Sequence, residues 1–242
     1  MRFLPALLLS FPLLAGARET VTIGAEDDWA PYSSKVKGEA RGFAVDLVRE
    51  AYAAVGVDVK FVVLPYVRCM AMAKIGKLAG CFDAVPNGLI IHHYLWHARP
   101  LFKTHMNVYA LAASREHDLT ATSLEGKTVG VTRDYEYGDE FDLNGKIKRE
   151  VSARNDQGFR KLLAGRMQYM AAEARIAKLV IASHAKEFDG KFRLVGTVAT
   201  PGLYIAFTKA SPEGAKYAQK FDAGYTLLLH GGRYKALEEK WF

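Results

Sequence analysis

Two hydrophobic rhythms alternate along the chain. Val21-Thr22-Ile23-Gly24 and residues 58–64 are short β-branched runs between polar segments, which predicts strands. Between them Phe43, Leu47, Ala51 and Ala54 recur at helical spacing, and Gly56 supplies the stop. Pro65 opens a second helical stretch over 66–75, closed by Gly76, and residues 82–85 read as a third strand. A β-α-β-α-β run of this kind predicts a mostly parallel sheet with helices on its faces. The same rhythm returns later, with strand 127–131, helix 158–164, strand 167–171, helix 174–185 and strand 192–195. Two further apolar stretches, 106–113 and 202–208, are strand-like and lie at the junctions of the two runs. A final helix is expected over 213–229, returning to the first unit. The expected architecture is α/β with two lobes joined by two extended crossings, a double hinge. Lobe 1 is placed at 18–109 and 203–242, lobe 2 at 110–202. Clefts between such lobes are common sites for small ligands.

The N-terminus sets the compartment. Met1 and Arg2 precede the apolar run 3–14, then the small-x-small triplet Ala15-Gly16-Ala17 and the charged pair Arg18-Glu19. That is the layout of a secretory signal peptide over 1–17, cut after Ala17, and it predicts a periplasmic mature chain. A run of about a dozen residues is too short to span a hydrocarbon core of ~30 Å as a helix. The chain has two cysteines, Cys69 and Cys81. In an oxidising compartment a disulfide between them is the default expectation. The net charge is +7, but lysines and arginines are scattered, without the clustering that marks a nucleic-acid partner. Half of the residues are hydrophobic, enough for a sizeable core.

Several segments carry a resemblance in the right order. Glu26-Asp27-Asp28-Trp29-Ala30-Pro31-Tyr32 resembles the opening D-x-x-aromatic-x-P-aromatic of family 3 solute-binding proteins, which serve amino-acid-type ABC importers. Gly42-Phe43-Ala44-Val45-Asp46-Leu47 is similar to the family's G-F-x-V/I-D-L. Leu124-Glu125-Gly126-Lys127-Thr128-Val129-Gly130-Val131 resembles its L-x-G-K-x-V-G-V. Leu163-Ala164-Gly165-Arg166-Met167-Gln168-Tyr169 looks like L-x-x-G-R-x-D-A, and the ending from Gly232 to Phe242 looks like G-x-Y-x-x-I-x-x-K-W-F. Leu64-Pro65-Tyr66-Val67-Arg68 matches the P-W/Y-x-R of a divergent branch. The resemblance covers nearly the whole chain after residue 17. It implies the type II periplasmic binding fold, each lobe a mostly parallel sheet flanked by helices. It further implies a monomer that takes a small polar solute, an amino acid or related amine or carboxylate, and docks on an ABC permease. No cofactor, metal or nucleic acid is expected.

The resemblance also points to ligand-binding positions. Trp29 stands where the family stacks an aromatic on its ligand, a role suited to planar or cationic groups; Asp28 lies beside it. Glu173 falls where the family has an ammonium-binding carboxylate, although a glutamate at a helix start is also favoured by the macrodipole alone. The largest departure is in the stretch from Asn87 to Pro100. There the family carries T-x-x-R, whose arginine grips an α-carboxylate, and this chain has Gly88 to Ile91 followed by His92 and His93. Arg68, Arg133 and Tyr135 are the candidates to stand in, with Asn87 and His92 near the cleft rim. His93 and His97, one helical turn apart, raise a metal reading that lacks a carboxylate and the four ligands of a closed zinc site. Asp46 reads as structural. No G-x-S-x-G, Walker-type or H-E-x-x-H motif occurs, so an enzyme on this fold, such as a periplasmic dehydratase using Glu173, is the alternative. A ligand sensor docking on a receptor is another.

Overall fold

The computed structural model describes residues 18–242, so the expected signal peptide lies outside the described residues. The first half runs β1 (Glu19–Glu26), β2 (Asp28–Trp29), β3 (Ser33–Val36), β4 (Glu39–Arg41), α1 (Phe43–Ala53), β5 (Val57–Leu64), α2 (Tyr66–Lys74) and β6 (Gly80–Ala84). Two short strands follow, β7 (Leu95–Trp96) and β8 (Phe102–Lys103). The second half runs β9 (Met106–Leu111), β10 (Thr128–Thr132), α3 (Asp139–Asp142), β11 (Lys148–Ser152), α4 (Asn155–Leu163), β12 (Tyr169–Glu173), α5 (Ala174–Ser183), α6 (Ala185–Phe188) and β13 (Phe192–Ala199). The chain ends with β14 (Gly202–Phe207), α7 (Pro212–His230) and α8 (Arg233–Trp241).

One sheet has the order β5-β1-β6-β14-β7, with β8 also on β14; the other has β11-β10-β12-β9-β13. In each, three parallel strands come from one β-α-β-α-β run, and the strand beside them is antiparallel. That is the two-lobed α/β class expected from the sequence. In both sheets the first strand of the run, β1 or β10, sits between the two that follow it. Successive connections therefore leave in opposite directions and open a crevice beyond the carboxyl ends of the strands, where ligand sites of open α/β sheets form. All of β9 pairs with β12 and β13, so the chain changes sheet between Lys103 and Met106 and returns between Ala199 and Gly202. The two crossings are tied together by Thr104 N–H to the Pro201 carbonyl at 3.1 Å and Leu101 N–H to the Leu203 carbonyl at 2.8 Å.

Helix α1 buries Phe43, Leu47 and Ala51 of the expected stripe, and also Ala44 and Val48, against the sheet and α7; Ala54 is exposed, because the helix ends at Ala53. Gly224 of α7 makes that approach feasible, because a Cβ there would lie 1.8 Å from the Ala51 carbonyl oxygen. Asp46 is structural: it accepts from Arg49, from Lys240 at 2.7 Å and from the Trp241 indole at 3.0 Å, fastening α8 to α1. The expected disulfide is present, joining α2 to β6 with Cα atoms 5.8 Å apart. It crosses directly over β1, where a Cβ on Gly24 would stand 2.4 Å from Cys69 Sγ.

Some boundaries differ from the pattern. Strand β12 starts two residues later than expected, because Gly165, at φ +70°, ends α4 in a left-handed turn that consumes the next residues. Strand β11 was not expected: Lys-Arg-Glu-Val-Ser has no apolar alternation, and its neighbour β10 supplies the pairing. The hairpin strands β2 to β4 and the terminal helix α8 also carry too little periodic apolar character to be read as elements.

Candidate functional site

The crevices of the two sheets face each other and enclose a chamber. Glu26 enters it as the last residue of β1, Asp83 from the end of β6, and Glu173 as the last residue of β12. Tyr66 opens α2 on one side; Tyr135, Glu136 and Tyr137 come from the loop after β10, and Asn155 from the start of α4. Trp29 and Met106 close the remaining walls. The free volume left between these side chains is about 20 Å³, room for a single water. A solute therefore enters only as the lobes part or the tyrosines swing aside.

Four carboxyl groups line this space, and their surroundings differ. Tyr135 donates its hydroxyl to Glu26 across the lobes. Tyr66 does the same for Glu136 at 2.6 Å. Glu173 is the most heavily engaged. Its Oε1 accepts from the Tyr32 hydroxyl at 3.0 Å and from the Thr104 hydroxyl, and its Oε2 accepts from Ile176 N–H at 2.8 Å, capping α5. Asp83 has no partner among the described residues: it is 5 % exposed, with neither carboxyl oxygen hydrogen-bonded, and its backbone takes the left-handed φ of +70°. Burial pushes the Asp83 carboxyl well above its usual range. Burial also raises Glu26 strongly, opposed by the Tyr135 hydroxyl and reinforced by Asp83, Asp27 and Asp28. Glu136 is pushed up to about 8 by burial, against the pull of Tyr66. Removing charge from water costs more than one hydrogen bond returns, so these groups hold protons that ordinary carboxylates release.

Among the described residues, no lysine or arginine lines the chamber. The Arg175 guanidinium lies 3.5 Å from the centre of the Phe242 ring, and Arg154 pairs with Asp156 at 2.9 Å. Tyr66, Tyr135 and Glu136 form a partition. Beyond it lies an outer groove of about 780 Å³ between α2 and the β10 loop, lined by Val67, Met70, Ile90 and Arg133 among others. The groove is bridged where Asn87 Nδ2 donates to Asp142 Oδ2 at 2.7 Å and Gly88 N–H donates to Asp139 Oδ1 at 2.6 Å.

Of the residues singled out in the sequence, Trp29, Tyr135 and Glu173 meet in the chamber, and Asn87 and Arg133 line the outer groove. Asp28 is exposed in a separate recess beside Arg154 and Asp156. Arg68 and His92 are not brought to either space. Arg68 lies on an exposed face of α2, because the helix turns Cys69 and Met70 inward instead. His92 is exposed in a short 3-10 turn, Ile91–His93, and contributes its carbonyl to Lys209 at 2.7 Å. His97 is buried alone, accepting from Ile205 N–H at 2.9 Å, and burial lowers its pKa to about 3. Among the described residues no three metal-capable side chains converge. Sequence reasoning missed Asp83, Tyr66 and Glu136. A signal for Asp83 existed: a charged residue inside an otherwise apolar parallel strand is rare unless it has a task. Glu136, in a polar loop, had none.

The family of bacterial extracellular solute-binding proteins, family 3, matches the chain over residues 21–242. No curated protein matches it. Solved structures do. An ancestral arginine-binding protein bound to arginine is 19 % identical, with TM-score 0.75, covering 93 % of this chain and 99 % of that one. A histidine kinase sensor domain with similarity to periplasmic binding proteins is 19 % identical, with TM-score 0.79, covering 93 % and 96 %. An ancestral amino-acid-binding protein, precursor of cyclohexadienyl dehydratase, is 21 % identical, with TM-score 0.71, covering 92 % and 95 %. At these identities the likeness concerns the fold.

Proposed function

The chain belongs to family 3 of the bacterial extracellular solute-binding proteins, and from that premise we propose that it captures a small polar solute between its lobes in the periplasm and delivers it to the permease of an ABC importer. The observation that carries this reading is the chamber itself. It is built from strand ends of both sheets and shut by side-chain bonds that run from lobe to lobe: Tyr135 to Glu26, Tyr66 to Glu136 and Tyr32 to Glu173. These contacts exist only with the lobes together. A solute that bridges the same walls works by favouring that closed arrangement, the hinge mechanism of two-lobed binders. The division between lobes is best set at the crossings, near 104–105 and 200–201, where neither sheet claims the chain. We read the protein as a monomeric binder and not as an enzyme.

The test is a thermal-shift screen of refolded, ligand-free protein against amino acids, amines, small acids and peptides, paired with small-angle scattering. A ligand at a hundred times its Kd stabilises by about 2.7 kcal/mol and should reduce the radius of gyration. If no compound moves either quantity, the binding role is refuted. Recovery of the bound compound unchanged, by mass spectrometry, distinguishes binding from turnover.

A further inference from the structure

We propose that the solute is an organic cation that carries no carboxylate, an amine, guanidinium or quaternary ammonium held against Asp83 at the floor of the chamber. This rests on the solute-binding reading and narrows it.

The four carboxyls differ in what each one lacks. Glu26, Glu136 and Glu173 each accept a tyrosine hydroxyl from across the lobes. Among the described residues Asp83 accepts from nothing, although it is buried and faces the same space. An unpaired buried carboxyl costs stability unless something else supplies a donor or a positive charge. No side chain of the chamber supplies one: among the described residues every charged group lining it is acidic. Arg175 lies over the Phe242 ring and Arg154 pairs with Asp156, and neither lines the chamber.

The walls agree with the charge. Trp29, Tyr66, Tyr135 and Tyr137 surround the carboxyls, and aromatic faces attract cations through their quadrupole. A solute carboxylate in this space would be buried among four acidic groups with no lysine or arginine to pair with it, an uncompensated charge that disfavours such a solute. The outer groove does have Arg133 and Arg149, but both are exposed and line that groove alone. The metal alternative lacks a converging ligand set among the described residues. The tyrosine hydroxyls on Glu26 and Glu136 hold the donor positions that the cation takes when it enters.

The experiment compares matched pairs by calorimetry on refolded, ligand-free protein: agmatine with arginine, cadaverine with lysine, and choline with glycine betaine. Glutamate, glucose and calcium chloride complete the set. The expected result is at least tenfold tighter binding of one or more of agmatine, cadaverine and choline than of its carboxylated partner. That advantage should be lost by tenfold or more in Asp83→Asn, with the melting temperature checked. If that variant does not fold, Glu136→Gln is measured in its place and should lose at least threefold. Tighter binding of a carboxylated partner, glutamate, glucose or calcium overturns the cation assignment and leaves the solute-binding reading standing. No binding in any arm, together with no compaction in the broader screen, overturns both.

Discussion

Glu136 offers a quantitative check on the chamber, because its carboxyl has a raised pKa with an identified cause. Burial holds it at about 8, against an ordinary value of 4.5, with Asp142 adding to the rise and the Tyr66 hydroxyl opposing it. The folded chain therefore keeps a proton that the unfolded chain releases as pH rises past 4.5. Stability from the protonated form is fully present below that value and is lost as pH climbs toward 8, at a limiting slope of about 1.4 kcal/mol per pH unit. A bound cation reverses the preference, since it favours the carboxylate. Binding then expels the proton, and affinity must rise with pH. With the carboxyl at about 8, its protonation weakens binding about a hundredfold at pH 6 and hardly at all at pH 9. Choline or tetramethylammonium is the suitable probe, because its own charge does not titrate. Calorimetry across pH 6 to 9, repeated in buffers of different ionisation enthalpy, gives both the affinity and the protons released. Glu26 and Asp83, also raised by burial and facing the same space, add to the rise in the same direction. Glu136→Gln should therefore reduce the slope without abolishing it. An affinity that is flat or falls between pH 6 and 8, or a slope unchanged in Glu136→Gln, refutes this account of the chamber.

Other substitutions probe the frame around the site. Glu173→Ala removes the cap of α5 and strands the Tyr32 and Thr104 hydroxyls, so urea denaturation should show a loss of about 2–4 kcal/mol, while Glu173→Gln should lose less than half as much. The pair Cys69→Ser and Cys81→Ser should lower stability by about 3 kcal/mol by chain entropy, and the unaltered protein should show no free thiol when unfolded without reductant. Gly24→Ala pushes a methyl group into Cys69 Sγ and should cost about 1–3 kcal/mol; part of that cost should vanish once the disulfide is removed, which a double-mutant cycle measures. Arg68→Ala should leave solute affinity within about twofold, since the side chain is exposed and outside both spaces.

The histidine cluster and the arginines show where reading along the chain goes astray. His92, His93 and His97 look like a group on paper. In the fold His92 and His93 lie in an exposed 3-10 turn, the strand β7 separates them from His97, and His97 alone is buried, bonded to β14. Arg68, in the segment that matches P-W/Y-x-R, is a candidate to stand in for the missing arginine. Helical phase decides otherwise: the disulfide and the Met70 contact fix which side of α2 faces the core, and Arg68 falls on the other. Glu173 illustrates a middle case. Its position was legible and it does reach the chamber, yet most of its bonding capacity serves Tyr32, Thr104 and the helix cap.

By itself the sequence determined the class of fold, the two runs of alternating strand and helix and the family, because each is written in local periodicity or in segments a few residues long; the bridge between the two cysteines was only the default expectation, and the fold brings their Cα atoms to 5.8 Å. Trp29, Tyr135 and Glu173 were also legible, as residues in recognisable segments at strand ends. What only the tertiary structure decided is the chemistry of the cleft. Asp83, Glu26, Glu136 and Tyr66 come from segments separated by up to a hundred residues and more, and nothing local shows that they share one small volume. The raised pKa of Asp83, Glu26 and Glu136, and the absence of a facing cation among the described residues, arise from burial and from the company each side chain keeps. Those are properties of the closed lobes and not of any stretch of the chain.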